Sequence, residues 1–443
     1  MNTHIDTGAG RVVAHPESGP VTGLRGTDRL LRFAGIRYGT AERFARPVPA
    51  ARHTLPVDAT RPGPICPQLP SRLEPVYGPH RNEPPQSEDC LYLAITTADL
   101  TGSRPVMVWV HGGGYLTGGG TLPMYDGGRL AADGDVVVVS INYRLGALGF
   151  LAHEGVSEGN LGLYDQILAL EWVHDNITAF GGDPASITVF GQSAGASSAM
   201  ALLSVPRARK LIRRVIAQSA PSLARLPTRD EAFAAGPYFA EAAGGDLMTL
   251  PVRRILDAQA RTEQWNADTP ARPGTVSFRP ALMEPLPDTE TRERTFRSEP
   301  VPDLVIGYTS DEGGAFVVGA ASPVPREAVA TMSRKTFVEP AHEAGRQVLD
   351  AGGAAFLYEF GWAPAEGGFG AVHGIEVPFL LGTREAWADS PVLGSTDWAT
   401  VEANGRGLRR SWGHFARYGT PGTAEVEWPQ WNGDEMSVQQ INW

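Results

Sequence analysis

The residues of this chain best suited to covalent chemistry lie in the run FGQSAGA, where Ser193 stands between Gly191 and Gly195. A serine flanked by such small residues can sit on a sharp turn that lifts its hydroxyl clear of the backbone, a nucleophile elbow. The pattern alone is short, and its context strengthens it. SITVF before it reads as a strand and ASSAMALL after it as a helix, the two elements such a turn must join. A serine that attacks a carbonyl needs donors for the oxyanion that forms, and losing one donor typically costs about 10²- to 10³-fold in rate. His111-Gly112-Gly113-Gly114 follows the apolar run PVMVWV and can turn backbone N–H groups inward with no side chain in the way. A phosphate-binding loop would want Gly-Lys-Ser or Gly-Lys-Thr, which this run lacks.

In the fold that carries such an elbow the chain order is Ser, acid, His, so the base should lie beyond Ser193. His342 and His414 sit in helical patterns, where a lone histidine is ordinarily a packing residue. His373 lies in the Gly-flanked loop GAVHGIE after the strand-like AAFLYEF and is the stronger candidate. The acid must precede it. Asp311 and Glu312 follow the strand-like DLVIGY, and the residues alone leave the choice between them open.

These groups need a frame. PVMVWV and DVVVVSINY are continuous apolar runs, as expected for strands covered on both faces. LYDQILALEWVHDNI carries an apolar stripe at helical spacing and reads as an amphipathic helix. RRVIAQS, DLVIGY and AAFLYEF supply further strands, and TDWATVEANGRGLRRSWGHFARYG a helix near the carboxyl end. Strands interleaved with helices predict a mostly parallel sheet flanked by helices. The amino-terminal part, with RVVA, VTGLRG and LRFAGIRYG, reads as a β-rich edge, and the Pro-rich stretch from Pro56 to Pro85 as a surface loop. The tract 221–302 is rich in Pro, Arg and Glu and reads as an inserted cap on one domain spanning 1–443.

The 443 residues are 42% hydrophobic and 20% charged, enough for a sizeable core. A net charge of -11 argues against nucleic acid and anionic membranes as partners. No leader or membrane-length apolar run is visible, so a cytoplasmic location is expected. Cys66 and Cys90 are the only cysteines, which excludes a disulfide scaffold and a four-cysteine metal site.

Over most of its length the chain resembles the type-B carboxylesterase and cholinesterase family of α/β-hydrolases. The likeness is carried by FAGIRYG, SEDCLYLAI, PVMVWVHGGGYLTG, VVVVSINYRLGALGFL, GNLGLYDQILALEWVHDNITAFGGDPASITVFGQSAGA, GYTSDEGGAF, AVHGIEVPFLLG and FARYGTPG. The resemblance implies Ser193 as nucleophile, Glu312 as acid and His373 as base. It also implies the N–H groups of Gly113, Gly114 and Ala194 as oxyanion hole, and Cys66 and Cys90 as the family's amino-terminal disulfide pair. The chain departs from the pattern in being shorter, with fewer helices expected between Glu312 and His373 and a reduced cap. Gln192 replaces an acidic residue common before the serine, and the segment between the cysteines has no Trp to stack on a quaternary ammonium. Both departures argue against a choline ester.

The expected activity is hydrolysis of a small or medium-sized carboxylic ester through an acyl-enzyme, with no cofactor or metal. Acyl transfer to another acceptor, carbamate or amide hydrolysis by the same groups is the alternative. A non-catalytic interaction module on this fold is a more distant one. Tyr115, next to the glycine run, and Trp265, in the cap, are candidates for lining the substrate pocket.

Overall fold

The apolar runs form the middle of one large twisted sheet. The computed structural model describes residues 10–79, 82–221, 226–268, 277–292, 302–320 and 322–443. The main path comprises β1 (Arg11–Ala14), β2 (Val21–Arg25), β3 (Leu31–Arg37), β4 (Tyr92–Thr97), β5 (Arg104–Val110) and β6 (Val137–Ile141). It continues with β7 (Gly182–Gln192), β8 (Arg214–Gln218), β9 (Asp303–Thr309), β10 (Ala355–Phe360) and β11 (Gln439–Ile441). Their spatial order is β1-β2-β3-β4-β6-β5-β7-β8-β9-β10-β11. Pairing is antiparallel from β1 through β4 to β6 and parallel from β6 onward. The β-rich edge and the mostly parallel sheet read from the sequence are thus both present.

Helices cover both faces. They include α1 (Gly128–Gly134), α2 (Leu161–Asn176), α3 (Ala194–Leu202), α4 (Gly236–Ala243), α5 (Val252–Ala267), α6 (Glu339–Asp350) and α7 (Trp398–Tyr418). Val106, Val108 and Val110 of β5 join a core with α2, α3 and α6, while Met107 and Trp109 join a second core with α1 and α7. Because each face is dry, the period-2 alternation of a half-exposed strand vanishes and the run reads as uniformly apolar. Arg409 of α7 is buried, donating to Asp133 of α1 (2.6 Å) and to the Phe379 carbonyl (2.7 Å), which fixes the helix against the chain just beyond His373.

Two sequence expectations need correction. The segment read as amphipathic is α2, but it is buried on nearly every side, including the polar Asp165 and Gln166. Asp165 can be there because Arg144 binds it through Nε and Nη2, both at 2.8 Å, and through its backbone N–H at 3.0 Å. The Pro-rich stretch is not wholly on the surface. Ile65, Cys66 and Val76 are buried, and Ile65 is bridged to Gln86. Cys66 and Cys90 are two buried free thiols in mutual contact, and Cys66 Sγ accepts the Leu145 N–H at 3.2 Å.

Within 221–302, part of which lies outside the described residues, α4 packs on α5, and Trp265 stacks on Tyr238 with ring centroids 4.8 Å apart. Trp265 therefore packs one helix of this tract on the other. The stretch from Glu312 to His373, where fewer helices are expected, carries a helix at Arg326–Ser333, a π-helical turn at Arg334–Val338 and α6 before β10. Among the described residues no helix is long and apolar enough to cross a membrane.

Asp165→Ala removes one partner of a buried pair and leaves Arg144 uncompensated. It should lower unfolding stability by about 3–5 kcal/mol. Urea denaturation followed by circular dichroism checks this, and a loss below about 1 kcal/mol would show that Arg144 finds another partner.

Candidate active site

Gly112–Gly114 lie just beyond the carboxyl end of β5, Ser193 beyond β7 and Glu312 beyond β9, while His373 is on the longer loop that follows β10. From β5 the chain moves to β6 on one side and then to β7 on the other, so β5 and β7 flank a topological switch point. The crevice there is the usual binding place of an open α/β sheet.

The elbow is built by close packing. Ser193 has φ 57° and ψ −126°, a conformation rare for a side-chain-bearing residue, and α3 begins at the next residue. Its N–H donates to the Gln218 carbonyl of β8 at 2.8 Å. A Cβ on Gly195 would fall 1.9 Å from the Val110 oxygen, and one on Gly191 would fall 2.6 Å from the Gly195 backbone. Both glycines are needed because the turn presses on itself and on β5.

The glycine run lies against this turn, since a Cβ on Gly112 would come within 3.2 Å of Ser193 Cβ. Gly113 and Gly114 have φ 109° and 63°, in the region open chiefly to glycine. The Gly113 carbonyl accepts from the N–H groups of Leu116 and Thr117, each at 3.1 Å, closing a tight turn. Among the described residues neither Gly113 nor Gly114 gives its N–H to a protein acceptor. Ala194 is the first residue of α3, where an N–H has no helical acceptor either.

His373 and Glu312 meet in a buried pair. Nδ1 of His373 is 2.5 Å from Glu312 Oε2, and Glu312 Oε1 accepts the Thr309 N–H at 2.9 Å. The side chains are 1% and 0% exposed, so no water competes for this contact. On the other side of the ring, Nε2 lies 3.0 Å from Gln192 Nε2. The amide can only donate there, which assigns a neutral ring with its proton on Nδ1, toward Glu312. Asp311, left open by the residues alone, is turned elsewhere. Its carboxylate accepts the Ala371 N–H at 3.3 Å and its N–H donates to the Ala371 carbonyl at 2.9 Å, bracing the His373 loop without touching the ring.

The other histidines are occupied in packing. His342 Nε2 is 3.3 Å from the Tyr308 hydroxyl, with its ring against Trp431, and His414 Nδ1 is 2.8 Å from the Thr420 carbonyl. Tyr115 turns toward α3, its ring on Phe150 and its hydroxyl 3.4 Å from Ser198 Oγ. Burial pushes that hydroxyl up to about 12, so it stays neutral.

Sequence reasoning missed four neighbours of His373. Gln192 was noted only for the acid it replaces. Phe316 and Phe337 lie 5.1 and 4.9 Å from the imidazole centroid and stack on each other. Phe316 is partly exposed and follows Glu312 by one turn, a spacing that could have flagged it. Phe337 comes from the π-helical turn, which no local pattern announced. Tyr77, from the Pro-rich stretch, donates its hydroxyl to the His373 carbonyl.

This mostly parallel sheet, helices on both faces and a left-handed serine at a strand-to-helix turn beside the switch point define an α/β-hydrolase. A model of the carboxylesterase family matches residues 9–323. The probable N-octanoylanthranilate hydrolase AqdA2 of Rhodococcus erythropolis is 39% identical, covering 91% of this chain and 92% of the relative. The phenmedipham hydrolase of Pseudarthrobacter oxydans is 34% identical, over 97% and 94%. The solved structure of a thermophilic PNB esterase superposes with a TM-score of 0.85 at 29% identity, covering 97% of this chain and 96% of that one. The chain belongs to the carboxylesterase family and is a serine hydrolase of carboxylic ester bonds.

The packing at Gly195 yields a steric prediction. Gly195→Ala should cut kcat/KM for a p-nitrophenyl ester by roughly 100-fold or more, because a Cβ 1.9 Å from the Val110 oxygen forces the elbow to shift by about an ångström or more. Gly407→Ala on α7, where a Cβ meets nothing within 4 Å, should leave activity unchanged and add about 0.5–1 kcal/mol of stability. Equal activity in the two variants would contradict the packing argument.

Proposed function

We propose that Ser193, His373 and Glu312 are the catalytic triad of this esterase and that the N–H groups of Gly113, Gly114 and Ala194 are its oxyanion hole. The observation that carries the reading is the hydrogen-bonded row Glu312–His373–Gln192, which ends at the residue preceding a left-handed serine. His373, neutral at Nε2, takes the Ser193 proton as Oγ attacks the ester carbonyl. Glu312 stabilises the imidazolium that results, in a site too buried for water to screen it. The oxyanion of the tetrahedral intermediate accepts from the loop and helix N–H groups. On collapse the alkoxide takes the proton from His373 Nε2 and departs as the alcohol, leaving an acyl-Ser193. Water, deprotonated by His373, then attacks the acyl carbonyl, and on collapse the acyl–Oγ bond breaks, Ser193 Oγ takes the proton back from His373 Nε2 and the acid is released.

The substrate in this reading is a small or medium-sized uncharged ester. Phe316 and Phe337 supply an apolar wall at the imidazole, and Gln192 supplies no negative charge to attract a cation. Tyr115 shapes the floor behind the glycine run. The chain is one domain over 1–443 with 221–302 as its cover, a division supported by α4 and α5 packing on each other between β8 and β9. A second reading is favoured by the relative whose name places an octanoyl group on nitrogen: cleavage of a medium-chain N-acyl arylamine by the same steps. Octanoyl esters and octanoyl anilides compared at matched concentration distinguish the two by their kcat/KM ratio.

Ser193→Ala should abolish turnover of p-nitrophenyl butyrate while leaving the circular dichroism spectrum unchanged, and retained turnover would remove the nucleophile assignment. Glu312→Gln should cost roughly 10³- to 10⁴-fold in kcat, and Asp311→Asn far less. The reverse ranking moves the acid role to Asp311.

Gln192→Glu places a negative charge at His373 Nε2, favouring the protonated ring. Since the base must be neutral to act, the acid limb of the kcat/KM profile should move to higher pH, by up to about one unit. An unmoved limb would mean that residue 192 does not face the ring during turnover.

A further inference from the structure

The last residue of β8, Gln218, holds two site loops at once. Its backbone carbonyl accepts the Ser193 N–H at 2.8 Å, and its side-chain Nε2 donates to Glu376 Oε1 at 3.2 Å. Glu376 lies three residues after His373 and opens the short helix Val377–Leu380. Both side chains are buried, at 0% and 1% exposure. The two oxygens left over, Gln218 Oε1 and Glu376 Oε2, are buried and have no hydrogen-bond partner among the described residues. While Glu376 is ionised both can only accept, so neither can serve the other. One proton on Glu376 removes both deficits. Its carbonyl oxygen keeps the bond from Nε2, and its hydroxyl donates to Gln218 Oε1.

We propose that Glu376 is a neutral carboxylic acid, joined to the Gln218 amide by two hydrogen bonds, and that this pair is the brace positioning the His373 loop against the Ser193 turn. The proposal rests on Ser193, His373 and Glu312 being the triad. The titratable groups facing Glu376 are Glu312, His373 and the phenols of Tyr77 and Tyr358. Burial first, and then the Glu312 charge, push the Glu376 carboxyl up to about 7. Kept neutral, Glu376 leaves Glu312 as the single anion on the imidazole. Ionised, it would put a second carboxylate beside the first and lose its donor to Gln218. Gln218 and Glu376 touch no reacting atom in this scheme and act as positioning residues.

Infrared difference spectra of the full chain between mildly acidic and mildly alkaline pH should contain a buried protonated-carboxyl C=O band that Glu376→Gln removes. Glu376→Ala and Gln218→Leu should each lower kcat for an ester roughly 10- to 100-fold with KM changed less than about 3-fold. Glu376→Gln should recover most of what Glu376→Ala loses, because its amide still donates to Gln218 Oε1 and accepts from Nε2. Absence of the band, as for an ionised Glu376 held by water, overturns the proposal. So does a Glu376→Gln variant as impaired as Glu376→Ala. The band is read on the resting protein and fluorophosphonate labelling reports Ser193 reactivity, so failure of the brace and failure of the triad assignment give separate signatures.

Discussion

The end of the sheet that carries the candidate site depends on one backbone constraint, the left-handed conformation of Ser193. A non-glycine residue held there is strained by roughly 1–3 kcal/mol, and such strain persists only where the surroundings over-determine it. Three contacts do so here: the Gln218 carbonyl on the Ser193 N–H, the close approach of Gly195 to the Val110 oxygen, and Gly112 against the serine Cβ. All three depend on β5, β7 and β8 lying side by side in register, with Gly191 opposite Val110 and Gln192 opposite Gln218. The large, dry, two-faced sheet is what makes that register rigid. In the proposed scheme a proton transfer that tolerates little misplacement is thereby built on strand ends, and loops supply the remaining groups.

The electrostatics follow a similar economy. Arg144 and Asp165 neutralise each other deep under the sheet, and the charged side chain touching the proposed base is Glu312, sealed from solvent. Gln192 meets the other side of the ring as a neutral donor. The same polarity accounts for the preference drawn from it: a carboxylate at residue 192 would favour a cationic substrate and a protonated ring together, whereas an amide favours neither. In the proposed scheme Glu376 extends this logic, a carboxyl kept neutral so that one anion alone acts on His373.

Much of this was legible in the residues because the local patterns and the global fold agree. The continuous apolar runs became buried parallel strands, and GQSAG became the turn between a strand and a helix. His373, which the Gly-flanked loop sets apart from His342 and His414, is the one of the three that meets Glu312. What was illegible arises from contacts between distant segments. The burial of α2 on nearly all sides could not be read from its own residues, since Asp165 looks like a surface aspartate until Arg144, 21 positions away, is brought beside it. The choice of Glu312 over Asp311 required the family resemblance, because neighbouring residues differ here only in which way the 3-10 turn aims them. Phe337 and Tyr77 reach His373 from a π-helical turn and a Pro-rich loop, neither of which carries a local mark of the site. The two cysteines resemble a disulfide pair and lie side by side in the core, an adjacency that their spacing does not encode.

The central claim is that His373, held by Glu312, activates Ser193 as a nucleophile. Peptide mapping by mass spectrometry after exposure to a fluorophosphonate tests it most directly. The account predicts a single phosphonyl adduct on Ser193, its rate of formation reduced by orders of magnitude in His373→Ala. An adduct on another residue, or equal labelling with and without His373, would contradict it.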